Sequence, residues 1–398
     1  MRLAVVRPLA TVRSIFSAAR ELIDPGGHCK PLTFIGFRAD SAKHGPEVAN
    51  QLMTFEETAL GLYADIVERE RIECDMHVTR AFDICMTKEG AESAKLDYQA
   101  RLAASPVSIK QGNVRPVHDP VELQEITGVK GGLWGASYPA GHLWPYKLAT
   151  ARESLFVQRH SLTRLVIRLA LGNGLNLQTY TPVRSLARSE ADPSRWTVET
   201  ARGSISTSSV VIATNAYTSS VLPEMRSKII PVRGTVCSIT PPASHLSGML
   251  PGPLKYTYGI RFGTGEVDYM IPRQGRGGIP GRGDHSIILG GAKGCFLKDT
   301  NTWYNNKRDD LEIPGARKYF QGYMNKHFVG WGKTESGNVD RVWSGGRSFY
   351  YILTMFGRLI FESWAILTTC YHMWASIPSG LVCSYAPGSP VTVSRELT

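Results

Sequence analysis

The hydrophobic positions change period along the chain, and those changes divide it. Over residues 45–70, Val48, Leu52, Phe55, Ala59, Leu62, Tyr63 and Ile66 recur at steps of three and four while acids fill the other face. That spacing predicts an amphipathic helix. A second helix is predicted over 152–171 from Leu155, Leu162, Leu165, Val166 and Leu169, with Gly172 and Gly174 as its stop signal. The period then drops to two, predicting strands over 175–179, 196–200 and 203–206. The run Val210-Val211-Ile212-Ala213, closed by Thr214-Asn215-Ala216, has the pattern of a short strand buried on both faces. Small residues at its end leave room for a ligand against the backbone, as at the strand ends of open α/β sheets. Beyond Pro223, apolar segments at 229–238, 256–262, 269–271 and 286–289 are separated by Gly- and Pro-rich turns, including 275–283. This half predicts an antiparallel sheet distinct from the first.

Composition adds bounds rather than chemistry. The 398 residues are 42% hydrophobic and 20% charged, which fits a packed protein of two ordinary domains or one large one and excludes a disordered chain. The net charge of +11 favours anionic partners without choosing among them. The basic residues are dispersed and form no nucleic-acid-binding signature. Seven cysteines, an odd number, exclude a small disulfide scaffold. With no Asn-x-Ser/Thr sequon present, they point to a reducing, intracellular setting, taken as cytoplasmic. Residues 1–20 carry Arg2, Arg7, Arg13 and Arg20 and no acid. That make-up fits a short basic helix, the reading adopted, or a mitochondrial transit peptide. The stretch 347–398 has no Lys and no Asp and is crowded with aromatics. Its apolar run 349–377 is long enough to span a bilayer, but Arg358 and Glu362 weigh against a membrane anchor.

General motifs offer no chemistry. The chain contains no G-x-G-x-x-G, no P-loop, no C-x-x-C, no H-E-x-x-H and no G-x-S-x-G. No metal site is expected. The Arg282-Gly283-Asp284 tripeptide reads as a coincidental turn.

The order of several short strings is more specific than any one of them. Pro25-Gly26-Gly27-His28-Cys29-Lys30-Pro31 is followed by the acidic helix, Leu143-Trp144-Pro145-Tyr146-Lys147, Thr181-Pro182-Val183 and Ala213-Thr214-Asn215-Ala216-Tyr217-Thr218. Pro231-Val232-Arg233-Gly234, Ile271-Pro272-Arg273, Leu289-Gly290-Gly291-Ala292 and Asp340-Arg341-Val342-Trp343-Ser344-Gly345 come after them. In this order, over about residues 20–345, the chain resembles the FAD-dependent oxidoreductases of the D-amino-acid oxidase (glycine oxidase and sarcosine oxidase-like) family, its fungal members in particular.

That resemblance implies an α/β flavoprotein: a Rossmann-like FAD-binding domain interleaved with an antiparallel-sheet substrate domain. The expected division is 25–80 and 140–225 for the FAD-binding domain, 81–139 and 226–345 for the substrate domain, with 1–24 and 346–398 outside the match. The implied reaction is oxidation of a C–N bond of an amine, amino acid or other nitrogen-containing metabolite. Hydride passes to FAD, and oxygen reoxidises the flavin with release of hydrogen peroxide; the cofactor supplies the redox chemistry. By resemblance, Gly26, Gly27 and His28 pass beside the flavin, Val183 faces the adenine, and Ala213, Thr214 and Asn215 lie near the adenosine and pyrophosphate. Trp144 and Tyr269 are expected on the substrate side. The resemblance assigns no catalytic acid or base. Each residue also has a plain structural reading, as turn, sheet core or core aromatic.

The chain departs from the family pattern at both ends. The glycine turn that would receive the pyrophosphate at a helix N-terminus is missing, and the strings stop at Gly345. The expectation is a family member incomplete at both ends, with two alternatives: a non-catalytic paralogue or faulty gene model unable to hold FAD, and a tail-anchored membrane protein.

Overall fold

The computed structural model describes residues 2–5, 27–69, 72–104, 113–145, 147, 175–178, 181–212, 214, 217–242, 254–263, 265–273, 285–332 and 337–350. The predicted helix over 152–171, the 275–283 turn, the Arg-Gly-Asp tripeptide and nearly all of 349–377 lie outside them. The chain forms two compact units: Met1–Ser14, Gly174–Val232 and Arg347–Thr398 make one, Ile15–Asn173 and Arg233–Gly346 the other.

In the first unit, β1 (Arg2–Val5) and β6 (Leu175–Gln178) form a parallel pair. Strands β7 (Val183–Arg188), β8 (Trp196–Thr200) and β9 (Gly203–Thr207) form an antiparallel meander. The period-two pattern predicts β8 and β9, but β7 went unread because its residues are mostly polar. The predicted strand over Val210–Ala213 is not present among the described residues. Val210–Ile212 join no sheet, and Val211 is 83% exposed. An apolar run becomes a buried strand only where neighbouring strands accept its backbone, and none among the described residues pairs with it.

The second unit is built on a sheet ordered β14 (Asn338–Tyr350), β10 (Ile229–Thr240), β13 (Ile287–Gly291), β12 (Glu266–Pro272), β11 (Thr257–Gly263), β3 (His77–Cys85), β5 (Trp134–His142) and β2 (His28–Cys29). Strand β4 (Arg115–Val117) pairs with β5 beside this path. Its described pairings are antiparallel except β11 with β3, which run parallel and join Gly259 to Asp83. Four of these strands answer the segments predicted beyond Pro223. The contact grouping differs from the expected domain division: 27–80 shares this unit with 81–139, because β2 and β3 hydrogen-bond to β5. Strand β14 also runs unbroken through Gly345.

Two sheet faces are packed differently. One carries Phe82, Ile84, Tyr258, Ile260, Met270 and Leu289 against the short helices α4 (Ala316–Phe320) and α5 (Tyr323–His327), which bury Phe320 and Met324. Each such side chain contributes about 1.5–3 kcal/mol. The other face is covered at the β3–β5 end by Phe34 and α3 (Lys88–Ala104), over Ala81, Trp134, Ala136 and Tyr138, and α1 (Phe37–His44) packs against α3. Asp97 of α3 caps α1, accepting from the Gly36 and Arg38 backbone N–H groups at 2.8 and 3.3 Å. The predicted acidic helix is α2 (Pro46–Arg69), but its buried stripe is Ala49, Met53 and Leu60. The predicted residues flank that stripe and are half-buried. The face is turned by about one residue, which also lets Glu57 reach Arg101, a fully buried guanidinium, at 2.6 and 3.1 Å.

Candidate functional site

The second face of the large sheet is concave. Strand β12 stands four places from β2, a separation of about 19 Å in a flat sheet. Yet the rings of Tyr269 on β12 and His28 on β2 have centroids 6.1 Å apart. The sheet has curled until its far strands face each other, and the side chains between them form one cluster.

Its floor is a cross-strand row of Ala136, Asp83, Gly259, Tyr269 and Gly290. The two glycines are required by their neighbours. A Cβ at Gly290 would overlap the Tyr269 ring, and one at Gly259 would overlap the Asp83 carboxylate. Tyr269 therefore lies across Gly290, while Asp83 leans over Gly259.

Asp83 is 1% exposed and is the hub of a charged group. It accepts from the Tyr138 hydroxyl at 2.6 Å and the Arg261 guanidinium at 3.3 Å, and pairs with Lys30 Nζ at 2.8 Å. Burial alone would raise its pKa, but Arg261 and Lys30 outweigh burial and hold the carboxyl well below the usual carboxylate range. Burial and the Asp83 charge push the Tyr138 phenol well up, so it stays a donor.

A second cluster lies at the ends of β2, β5 and β12. His28 pairs with His142, and His142 with His77, so three imidazoles share one cross-strand row. The His77 and His142 rings are 5.3 Å apart. His28 is 4% exposed, and its Nε2 has no hydrogen-bond partner among the described residues. Burial, then Lys30 and His142, hold its pKa well below the ordinary value. His142 is held at about 4 by burial, His77 and Arg273. Both are neutral at pH 7. Beyond them, Lys147 Nζ and the Arg273 guanidinium lie 4.5 and 4.1 Å from the Trp144 ring centroid. Both cations also reach Asp75 Oδ2, at 2.6 and 3.7 Å. Burial pushes the Cys29 thiol up to about 12 and Cys74 to about 11, so neither is a nucleophile.

The structure thus brings four of the expected residues, Gly27, His28, Trp144 and Tyr269, into one unit. Gly27 has φ +85°, and its missing Cβ would strike the Leu143 carbonyl and the Pro145 ring. Its need for glycine is met within the chain. Trp144 is held by Arg273 and Lys147. Val183 begins β7 and is half-buried, and the Thr214 hydroxyl shares a hydrogen bond with Thr218 at 3.0 Å, both in the other unit. Gly26, Ala213 and Asn215 lie outside the described residues.

Asp83, Lys30, Arg261, Tyr138 and His142 were not singled out from sequence. A signal existed for one of them: Asp83 interrupts the apolar run Ala81-Phe82-Asp83-Ile84-Cys85, and a carboxylate buried in a strand demands partners. Among the described residues no cluster of His, Cys, Asp and Glu could hold a metal, and no helix is long and apolar enough to cross a membrane.

A curled sheet with helices on both faces, together with a smaller unit that contains a parallel strand pair, is a mixed α/β fold. The family model described as DAO, FAD dependent oxidoreductase, matches residues 25–379. The chain belongs to that family, whose cofactor is FAD. The match runs past Gly345, where the recognisable strings end. Among solved structures the chain is similar to glycine oxidase from Geobacillus kaustophilus, at 18% identity and TM-score 0.52, covering 88% of this chain and 83% of that one. It is similar to iminodiacetate oxidase from Chelativorans sp. BNC1, at 13% identity and TM-score 0.54, covering 88% and 84%. A third is L-alpha-glycerophosphate oxidase from Mycoplasma pneumoniae with FAD bound, at 11% identity and TM-score 0.55, covering 88% and 77%. At these identities the likeness is one of fold. Among curated proteins no sequence matches significantly.

The described residues leave an unmet hydrogen bond for a bound group, cofactor or substrate. An imidazole nitrogen that is buried and lacks a partner is costly unless a bound group supplies a hydrogen bond. His28 Nε2, adjoining Gly27 and facing Tyr269, is such an atom.

Proposed function

We propose that the chain oxidises a C–N bond of an amine, amino acid or related nitrogen-containing metabolite, with oxygen as the final acceptor. Bound FAD would supply the redox chemistry by accepting hydride. The observation carrying this reading is the unpartnered, buried His28 Nε2 beside Tyr269, on the concave sheet of a chain belonging to an FAD-dependent family. The backbone of Gly27 and His28 would pass beside the flavin edge, with Gly26 before them, which leaves the His28 imidazole to the substrate. Val183 and Ala213–Asn215 would hold the adenosine end.

The chain's own residues have separable tasks. Tyr269, fixed over Gly290, offers an aromatic surface for the substrate body. The Asp83 group keeps Lys30 and Arg261 in place beneath it without presenting a loose charge. Trp144, with Arg273 and Lys147 against it, closes one end. Burial of His28 and His142 keeps water from the reacting region.

The test is direct. Purified full-length protein should be yellow, show flavin absorbance, and release hydrogen peroxide when amines or amino acids are screened. A folded protein that stays colourless after addition of FAD overturns the proposal and favours a non-catalytic paralogue.

A further inference from the structure

We propose that His28, His142 and His77 form a proton-transfer row, which takes a proton from an amine bound beside His28 and delivers it to solvent at His77. The inference rests on the oxidase reading above and adds the route by which the substrate nitrogen is deprotonated.

Amines are ammonium ions near neutral pH, and a C–H bond next to a positively charged nitrogen does not readily give up hydride. One N–H bond must first break, its electron pair staying on nitrogen, while the proton goes to a base. The step R–NH3+ + imidazole → R–NH2 + imidazolium balances atoms and charge and involves no oxidant. Since the reacting region is buried, that proton needs a path out.

The row supplies one. His28, His142 and His77 occupy directly opposed positions on β2, β5 and β3, so their side chains leave the same face in one line. Exposure rises along it: His28 is 4% exposed, His142 6%, and His77 is half-buried. The inner imidazole faces Tyr269 and has a free Nε2 to receive the proton. The His142 and His77 rings are 5.3 Å apart. Each imidazole can bind a proton at one nitrogen and release one from the other, which is what a relay requires.

The surrounding charges favour onward movement. Lys30 and Asp83 lie near His28; His77, Arg273 and Asp75 lie near His142. Burial and the nearby cations disfavour a positive charge resting on either inner ring. They act equally on an ammonium bound in the same place, which weakens its hold on the proton. Half-buried His77 is the outermost of the three, and the proton leaves there.

The experiment uses the full chain labelled with 15N-histidine, read by long-range 1H–15N spectra, with signals assigned through His28→Gln, His142→Gln and His77→Gln. Coupled imidazoles should each hold one tautomer, and His142→Gln should shift the nitrogen signals of both His28 and His77. Unchanged His28 signals in that variant overturn the proposal. If His142→Gln does not fold, His77→Gln serves instead: its loss should shift the titration of His142 by at least half a pH unit, and no shift overturns the row. These readouts need neither cofactor nor turnover, so they stand apart from the peroxide assay. In that assay, His142→Gln should lose at least tenfold in rate at neutral pH and recover toward pH 10, where the amine is already neutral. An equal loss at both pH values marks a merely structural role and overturns the relay.

Discussion

Replacing Asp83 by Asn keeps the volume of the side chain and removes its charge. In the native chain that carboxylate, 1% exposed, faces two cations: Lys30 at 2.8 Å and Arg261 at 3.3 Å. The amide can still accept one hydrogen bond, but Lys30 and Arg261 are left half-buried or deeper beside each other without their counter-ion. Removing one partner of a buried pair costs about 3–5 kcal/mol. For a unit of this size each kcal/mol lowers the melting temperature by about 2–4 °C, so the expected drop is about 6–20 °C. Thermal unfolding followed by circular dichroism measures it, with Asp310→Asn, a surface change, as the variant expected to leave melting unchanged. The pH dependence sharpens the test. A carboxyl held below its unfolded value stabilises the fold above about pH 4, and that stabilisation is lost as the pH falls. The native protein should therefore lose stability more steeply than Asp83→Asn below pH 4. A melting drop under 2 °C, or parallel acid curves, would refute the assignment of Asp83 as the hub.

Three further outcomes follow from the same geometry. Because His142 titrates at about 4 when folded and at about 6.5 when unfolded, stability should fall as pH drops through that window, by up to about 3 kcal/mol; urea titrations of the native chain and His142→Phe should show the slope reduced in the variant. Gly27→Ala places a Cβ at φ +85° against the Leu143 carbonyl and should cost about 1–3 kcal/mol in urea unfolding. Gly290→Ala should displace Tyr269 and lower the rate of peroxide release at least tenfold, while Gly294→Ala, whose Cβ meets only the end of Glu266 at 3.8 Å, should leave it unchanged.

Legibility in the sequence followed periodicity and failed where structure depends on long-range pairing. Helix α2 and strands β8 and β10–β13 could be read because their patterns repeat locally. The buried face of α2 could not be fixed to better than a residue, since its flanks are as apolar as its centre and only Arg101, far along the chain, settles which way Glu57 turns. Val210–Ile212 have the composition of a buried strand, but no partner for them is present among the described residues. Strands β3 and β5 carry Asp83, Arg80, His77, Ser137 and His142, whose polarity hides a strand pattern until their partners are known. His28, Trp144 and Tyr269 were reached only through the order of short strings. The Asp83 group was not reached at all, because Lys30, Tyr138 and Arg261 are spread over more than two hundred positions and meet only when the sheet curls.

The parallel pairing of β3 with β11 brings Ala81 beside Thr257, and β2 with β5 brings His28 beside His142. Both close long stretches of chain before any contact rewards the closure, which places them among the slow steps of folding. His28 and Tyr269 stand at opposite ends of that assembly path. Their meeting requires every pairing between them, so the region beside them exists only in chains that have finished folding. Ligand uptake beside His28 therefore doubles as a measure of completed assembly, and during refolding it should rise with the slowest phase.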